Sequence, residues 1–182
     1  MDNKLIITND GSNSIFNPEI NECYHSKHGA IVEAEHVFIR NGFSALRKSK
    51  LSILEVGFGT GLNALLTYQK ALQKLIEVNY HTMEPYPVNK KNYRQLNFTD
   101  LIGVEQEKLL NLHSCTWEEK HKINTYFTLT KNNTSLEKYN TNIKFDIIYF
   151  DAFSPKKQPE LWDKNIFKKM HGFLKDDGFL VT

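Results

Sequence analysis

The sequence predicts an α/β fold in which helices cover both faces of a mostly parallel β-sheet. Three observations carry this prediction. Strand and helix patterns alternate from Leu51 onward, a glycine-rich turn follows the first of these strands, and the run from Phe145 to Phe150 is almost wholly apolar. Alternating patterns of this kind are typical of parallel sheets whose connecting helices pack on both faces.

An N-terminal β-hairpin and a helix precede this alternation. Residues 5–8 and 14–16 predict two short strands, and the sequence N-D-G-S between them predicts a turn. Residues 30–40 predict a helix, because Ile31, Ala34 and Phe38 fall on one face and the dipeptide N-G follows.

The remaining elements alternate along the second part of the chain. Strands are predicted at 51–56, 78–83, 126–130, 145–150 and 179–182, and helices at 62–75, 86–96, 105–112 and 165–174. Asn132 and Asn133 are expected to end the third of these strands, and D-D-G at 176–178 predicts a turn. Because the sequence stops at Thr182 inside a predicted strand, we expect C-terminal strands to be missing from a truncated copy of a longer protein. A natural stop codon directly after Thr182 would contradict this expectation.

Length and composition indicate one ordinary domain. The 182 residues fit a single domain, in which residues 1–50 join the core formed by residues 51–182. No apolar run approaches the roughly 20 residues that cross a bilayer, and the N-terminus lacks the layout of a signal peptide. We therefore expect a cytoplasmic protein without a membrane partner. Cys23 and Cys115 lie far apart and the histidines lack metal-ligand spacing, so no metal site is predicted.

The strongest local signal is the glycine-rich turn in I-L-E-V-G-F-G-T-G-L-N, residues 53–63. Gly57, Gly59 and Gly61 stand between a predicted strand and a predicted helix, where a Cβ would prevent the backbone from approaching a ligand. N–H groups at the start of the helix can face a polar or anionic ligand. A tight strand–helix turn without a ligand is the alternative interpretation.

Spacing and charge favour S-adenosylmethionine over a nicotinamide cofactor. The third glycine comes one residue too early for G-x-G-x-x-G, and Glu55 suits a ligand that carries an ammonium and a sulfonium. Glu84 ends the second core strand, where a carboxylate can accept hydrogen bonds from ribose hydroxyls, although a solvent-facing turn residue is also possible. The predicted cofactor-binding residues are Glu55, Gly57, Phe58, Gly59, Gly61, Asn63 and Glu84.

A second segment, D-A-F-S-P-K-K-Q-P-E-L-W, covers residues 151–162. Asp151 follows an apolar strand and should emerge at the carboxyl edge of the sheet, where open α/β sheets bind ligands. Phe153 and Pro155 are candidates for a pocket wall against which a flat base packs, whereas Trp162 is expected to fix the loop to the core.

Together with D-G-S at 10–12 and Y-H-S-K-H-G-A-I-V-E-A-E-H-V-F-I at 24–39, these motifs resemble the methyltransferase domain of the bifunctional tRNA 5-methylaminomethyl-2-thiouridine biosynthesis protein family. The resemblance runs from about Thr8 to the end of the sequence. It implies a Rossmann-like methyltransferase fold and methyl transfer to the aminomethyl nitrogen on the wobble uridine of tRNA, with S-adenosylhomocysteine as the other product. Bifunctional members also carry a flavin-dependent oxidase, of which this sequence has no trace. The chain therefore resembles a stand-alone type or a fragment, and a separate flavin oxidase would supply its amine.

The resemblance also implies roles for particular residues. Asp151 is the candidate catalytic residue that orients the amine and accepts its proton, and His25 is a weaker candidate base. Tyr24, His25 and Ser26 are expected near the pocket. Lys90, Lys156 and Lys157 are candidates to hold phosphates of the anticodon loop. Related sheets often present an acidic residue to the adenine where this sequence has Asn132 and Asn133, although an asparagine amide can also hydrogen-bond the ring. A methyltransferase of small amines or proteins, a nicotinamide-dependent oxidoreductase and a non-catalytic RNA-binding module remain alternatives.

Overall fold

A computed structural model describes residues 3–182, so the first two residues of the predicted 1–50 segment lie outside the described residues. Two β-sheets form, one antiparallel with three strands and one with six strands in the order β6-β7-β5-β4-β8-β9. The strands are β1 Lys4–Ile7, β2 Asn13–Asn17, β3 Glu22–Cys23, β4 Lys50–Val56, β5 Glu77–Met83, β6 Lys120–Lys122, β7 Phe127–Asn132, β8 Phe145–Phe150 and β9 Leu174–Val181. The helices are α1 Ala30–Ala34, α2 Leu62–Lys74, α3 Lys90–Tyr93, α4 Phe98–Ile102, α5 Gln106–Ser114 and α6 Lys164–Phe173.

The large sheet is parallel except where β6 pairs antiparallel with β7. Strands β4 and β8 both lie inside the sheet, each between two neighbours, and β8 is buried at every position and β4 at all but two. Because side chains alternate along a strand, Ile53 and Tyr149 join the core on one face, and Leu54 and Ile148 join the core on the other. Helices α2 and α5 contribute to the first core and α6 to the second. The predicted α/β fold, mostly parallel with helices on both faces, is therefore confirmed.

The N-terminal hairpin and helix also form as predicted, and Asp10 ties them together. Its Oδ2 accepts hydrogen bonds from the backbone N–H groups of Ile31 and Val32 at 3.0 and 3.1 Å, at the N-terminus of α1. Gly29 precedes α1 with φ of 147°, and a Cβ there would lie 2.7 Å from the same oxygen. Helix α1 then continues as a π-helical turn over Glu35–Arg40. The D-G-S segment is thus more than a hairpin turn, because its carboxylate caps the helix.

Three sequence predictions differ from the structure. The helix predicted at 86–96 is confined to α3, because Pro85 and Pro87 keep the chain extended until the Asn89 side chain caps the helix. Strand β9 begins at Leu174, earlier than expected, and its pairing with β8 shifts register between Leu174 and Phe179, where the turn at 176–178 was predicted. Strand β7 continues through Asn132 rather than ending before it. Within residues 3–182, no helix is long and apolar enough to cross a membrane.

Candidate active site

The glycine-rich turn connects β4 to α2 at the carboxyl edge of the large sheet. Gly57, Gly59 and Gly61 have φ values of +91°, +49° and +75°, a region that L side chains rarely adopt. The backbone N–H groups of Gly57 and Phe58 both donate to the carbonyl of Met83 at 3.0 and 3.1 Å. The end of β5 therefore holds the turn in place.

Asp151 lies against this turn from the neighbouring strand β8. A Cβ on Gly57 would lie 2.6 Å from the Asp151 carbonyl oxygen, so only glycine fits the approach. The Asn63 amide donates to the Asp151 carboxylate at 2.7 Å, and the Asp151 N–H donates to the Val56 carbonyl at 3.1 Å. The structure thus brings together the two segments that carry the predicted chemistry.

The environment of Asp151 favours its neutral form more than water does. Burial raises its pKa to about 7, the Asn63 hydrogen bond acts in the opposite direction, and the negative charge of Glu33 adds to the rise. Near neutral pH, this carboxyl group is therefore divided between its protonated and ionised forms. A group with this titration range can both accept and release a proton in the physiological range.

Glu55 lies beneath the glycine turn and does not line the cleft. Its side chain is fully buried, and neither carboxyl oxygen has a hydrogen-bond partner among the described residues, although Tyr80 and Thr82 lie beside it. Burial raises the pKa of Glu55 well above its usual value, and the charge of Asp151 adds to this effect. Burial therefore favours the protonated form of Glu55, and the direct contact of this residue with a cofactor stays a prediction.

Glu84 faces the glycine turn from the end of β5. Its Oε2 accepts the Gly59 N–H at 3.0 Å and its Oε1 accepts the Tyr86 N–H at 2.8 Å. Burial raises the pKa of this carboxyl group, while the two backbone hydrogen bonds lower it. Each carboxylate oxygen can accept a further hydrogen bond, so the predicted contact with ribose hydroxyls remains chemically possible.

The N-terminal sheet supplies a wall of the same cleft through Tyr24 and His25. The Tyr24 ring packs edge-on against Phe153 with centroids 5.2 Å apart, and a Cβ on Gly59 would lie 3.1 Å from that tyrosine ring. Burial raises the pKa of Tyr24 to about 12, and the charge of Glu84 contributes. Ser26 also lines the cleft, and its N–H donates to Glu33.

Both ring nitrogens of His25 contact hydroxyl groups of the protein. Its Nδ1 lies 2.9 Å from Ser14 Oγ and its Nε2 lies 3.1 Å from Thr60 Oγ1. Burial lowers its pKa to about 4, with Asp10 acting weakly in the opposite direction. Because both ring nitrogens are engaged, the structure does not support the expected role of His25 as a second proton acceptor.

The segment after Asp151 forms a loop that is fixed at both ends. Trp162 donates its indole N–H to the Phe153 carbonyl at 2.9 Å and packs on Phe150, so it anchors the loop as expected. Ser154 donates to Glu22 of β3 through both its N–H and its hydroxyl. Phe153 lines the cleft, whereas Pro155 is exposed outside it, contrary to the expectation that both form the wall.

Asn132, the last residue of β7, and Asn133, which follows it, both form hydrogen bonds within the protein. The Asn132 side chain donates to the Thr82 carbonyl at 3.0 Å, and the Asn133 side chain donates to the Glu84 carbonyl at 3.4 Å. The Asn133 N–H donates to Glu118 at 2.7 Å. These contacts hold the Glu84 segment, and neither asparagine lines the cleft.

The residues around the turn surround an open cleft of about 1730 Å³. Glycine-turn residues, Glu84, Asp151 and the Tyr24–Phe153 pair all line it, and Lys27 and Lys138 also lie on its wall. The described residues contain no group of three or more histidine, cysteine, aspartate or glutamate side chains placed to hold a metal ion. A cleft of this kind, at the carboxyl ends of parallel strands, is the usual position of the ligand in open α/β sheets.

Sequence reasoning missed three residues near the site. His113 in α5 contacts the glycine turn through Thr60, and Lys131 in β7 is a fully buried cation whose ammonium lies 4.6 Å from the Trp117 ring centroid. Asp10 caps α1, as described above. Asp10 lies in the D-G-S segment, but the role of none of the three follows from a local motif, because each acts on residues far away in the sequence.

Known methyltransferases resemble this chain in sequence and in fold. A family described as S-adenosyl-L-methionine-dependent methyltransferase matches residues 104–182. The crystal structure of MNMC2 from Aquifex aeolicus superimposes with a TM-score of 0.77 at 25% identity, covering 100% of this chain and 59% of that one. The match and the superposition show that the chain is similar to S-adenosylmethionine-dependent methyltransferases and shares their fold.

Relatives of this chain include proteins that share one name. The tRNA 5-methylaminomethyl-2-thiouridine biosynthesis bifunctional protein MnmC of Leptospira interrogans is 26% identical over 90% of this chain, and its namesake from Cupriavidus metallidurans is 27% identical over 97%. The chain spans 28% of the length of either relative. These similarities confirm the resemblance to the methyltransferase domain of the MnmC family.

Proposed function

We propose that this chain forms the S-adenosylmethionine-binding part of an N-methyltransferase that acts on the 5-aminomethyl group of wobble (2-thio)uridine in tRNA. The observation that carries the proposal is the Asp151 carboxylate, held by Asn63 at 2.7 Å and placed against the glycine turn in the cleft. The names of the relatives supply the substrate, and the site supplies the acid–base chemistry that amine methylation requires.

The residues of the cleft fit the methyl donor. The left-handed glycines leave space at the turn that side chains would fill. A Cβ on Gly59, for example, would lie 3.1 Å from the Tyr24 ring. Glu84 offers acceptor oxygens for hydroxyl groups, and the acidic Asp151 suits a positively charged ligand. When bound, S-adenosylmethionine supplies an electrophilic methyl group on a sulfonium. Gly57, Phe58, Gly59, Asn63 and Glu84 are the residues that we propose hold it.

Asp151 is proposed to receive the amine. An alkyl ammonium titrates near 10, as lysine does, so most of the substrate arrives protonated and must lose a proton before it can attack. With its pKa raised to about 7, Asp151 is partly ionised at neutral pH and can accept that proton directly or through water. Its hydrogen bond from Asn63 fixes its orientation, and because an ionised carboxylate also stabilises the ammonium, positioning is its main contribution.

The Tyr24–Phe153 pair is proposed to contact the uridine. An unpaired wobble base can turn out of its loop and pack against aromatic side chains. Lys156 and Lys157 are exposed on the loop that begins at Asp151, and Lys90 is exposed at the start of α3. We propose that they contact phosphates, which makes tRNA binding weaken as salt increases. A separate flavin oxidase that supplies the amine, and a cytoplasmic location, stay predictions.

The test is incubation of the protein with S-adenosylmethionine and tRNA bearing the 5-aminomethyl group, read by nucleoside mass spectrometry. We expect the methylaminomethyl nucleoside to appear, and tRNA lacking the aminomethyl group serves as the control. Asp151→Asn should lower turnover by about 100-fold or more, because the side chain loses both the charge that positions the amine and the basicity that accepts its proton. The Kd for S-adenosylhomocysteine should stay within a few-fold, because the side chain keeps its size. Near-normal turnover in this variant would remove Asp151 from the reaction.

Other outcomes would favour the alternatives. Methylation of small amines or proteins, with tRNA left unmodified, would keep the methyltransferase class and change the substrate. Preferential binding of a nicotinamide cofactor would indicate an oxidoreductase. RNA binding without any affinity for the methyl donor or its product would indicate a non-catalytic module.

A further inference from the structure

Thr60 stands between the second and third glycines of the turn and contacts two histidines from distant parts of the chain. His25 follows β3, and its Nε2 lies 3.1 Å from the Thr60 hydroxyl. His113 lies in the last turn of α5, and its Nε2 lies 2.9 Å from the Thr60 carbonyl oxygen. Thr60 itself is only 2% exposed, so these contacts are shielded from water.

Both imidazole rings are held by further contacts. Ser14 engages the other nitrogen of His25, and the ring of Phe98 packs edge-on against it. His113 stacks on Tyr93 with centroids 4.1 Å apart and meets Phe58 edge-on at 5.0 Å. The rings therefore cannot rotate away from Thr60 without losing several packed contacts.

The chemistry of each contact defines its direction. A carbonyl oxygen only accepts, so His113 Nε2 must carry the proton and donate it to Thr60. Burial lowers the pKa of His113 and of His25 to about 4, so both rings are neutral at neutral pH. Lys131, whose ammonium donates to the His113 carbonyl, adds to the lowering of the His113 pKa. A neutral ring can serve as a fixed hydrogen-bonding partner without introducing a charge near the cofactor.

We propose that His25 and His113 are positioning residues that hold Thr60 through its hydroxyl and its carbonyl, and so fix the glycine turn in its binding conformation. The inference rests on the proposed function, in which this turn binds S-adenosylmethionine. A turn with three left-handed glycines has many alternative conformations when it is released. When the two histidines hold Thr60, the free turn has less conformational entropy to lose on binding the ligand. The histidines therefore strengthen binding although they do not contact the ligand.

The test uses the Kd for S-adenosylhomocysteine, measured by calorimetry. Thr60→Val removes the hydroxyl at nearly constant shape, and His25→Phe removes its partner; each should weaken binding by about 10-fold, the equivalent of one lost hydrogen bond. Because the two residues act as one contact, the double variant should bind no more weakly than either single variant. Thr60→Ser keeps the hydroxyl and should restore binding.

His113 is tested with a matched pair. His113→Phe keeps a flat ring on Tyr93 but lacks the donor, whereas His113→Gln keeps an N–H donor, and only the former should weaken binding by about 10-fold. His36→Phe, at an exposed histidine of the π-helical turn, is the control and should bind as wild type does. In the tRNA methylation assay, KM for the methyl donor should rise in Thr60→Val and His113→Phe while kcat stays within about twofold.

Several results would overturn the proposal. Additive losses in the double variant, wild-type affinity in His113→Phe, or a fall in kcat at constant KM would each show that the histidines act in another way. Nitrogen NMR of wild-type imidazoles gives a readout that needs no variant: the Nε2–H tautomer of His113 is expected, and the Nδ1–H tautomer would refute the contact. Absence of any S-adenosylhomocysteine binding by the wild type would instead refute the proposed function, while the tautomer would still decide whether the contact exists.

Discussion

Replacement of Gly57 by alanine tests whether the fold depends on the close packing of the glycine turn against Asp151. The new Cβ would lie 2.6 Å from the Asp151 carbonyl oxygen, a distance at which backbone atoms must move apart. The residue must also hold φ of +91°, which costs a non-glycine residue about 1–2 kcal/mol. Displacement of the Asp151 backbone also weakens its hydrogen bond to Val56, worth about 0.5–1.5 kcal/mol. We therefore expect Gly57→Ala to lower the free energy of unfolding by about 1.5–3.5 kcal/mol.

Gly103→Ala is the matched control for this prediction. Gly103 has φ of +71°, but a Cβ there would meet no atom within 4 Å. It therefore carries the backbone cost of about 1–2 kcal/mol without the clash. Urea denaturation of both variants measures the difference, and turnover should fall by about 100-fold only in Gly57→Ala, because Asp151 moves. Equal destabilisation of the two variants, within about 0.5 kcal/mol, would refute the reasoning.

Two further predictions concern the N-terminal cap and a buried histidine. Asp10→Ala should lower the free energy of unfolding by about 1–2 kcal/mol, measured by urea denaturation at neutral pH, because α1 loses its capping carboxylate. Burial raises the pKa of Asp10, but hydrogen bonds from Ser12 and Thr8 outweigh burial and lower this pKa to about 2. The ionised cap therefore stabilises the fold above about pH 4, and this contribution is lost as the pH falls toward 2. For His81, which is 7% exposed, burial lowers the pKa to about 4, so the unfolded chain takes up its proton first as the pH falls. Stability should thus decrease by at most about 3 kcal/mol for this residue between pH 6.5 and pH 4, and His81→Leu should show a smaller decrease in urea denaturation over the same range.

The sequence predicted those parts of the site that follow directly from buried strands. Gly57 and Asp151 each come after an apolar run, and parallel strands place their carboxyl ends at one edge of a sheet. Their proximity could therefore be expected before the structure was known. The position of Glu84 follows from the same rule, because β5 is the other neighbour of β4.

Hydrogen bonds between residues that lie far apart in the sequence could not be predicted. His113 lies 53 residues from Thr60, and Asp10 lies 21 residues from the first amide that it caps. Such pairs leave no periodic pattern, since a single polar residue at a helix end looks the same whether it bonds to water or to a buried carbonyl. The helix predicted at 86–96 was wrong for a local reason, because Pro85 and Pro87 delay the start of the helix until Asn89.

The bonds between Ser154 and Glu22 have a consequence for the way the protein is made. They join residues that lie 132 positions apart, and the ring contact of Tyr24 with Phe153 spans a similar length of chain. During synthesis from the N-terminus, β4, α2 and β5 emerge before the loop that carries Ser154 has been translated. The ribosome therefore releases β4 and β5 early, whereas β8 and the loop that follows it emerge late. The two opposing walls of the cleft can meet only once that loop has left the exit tunnel.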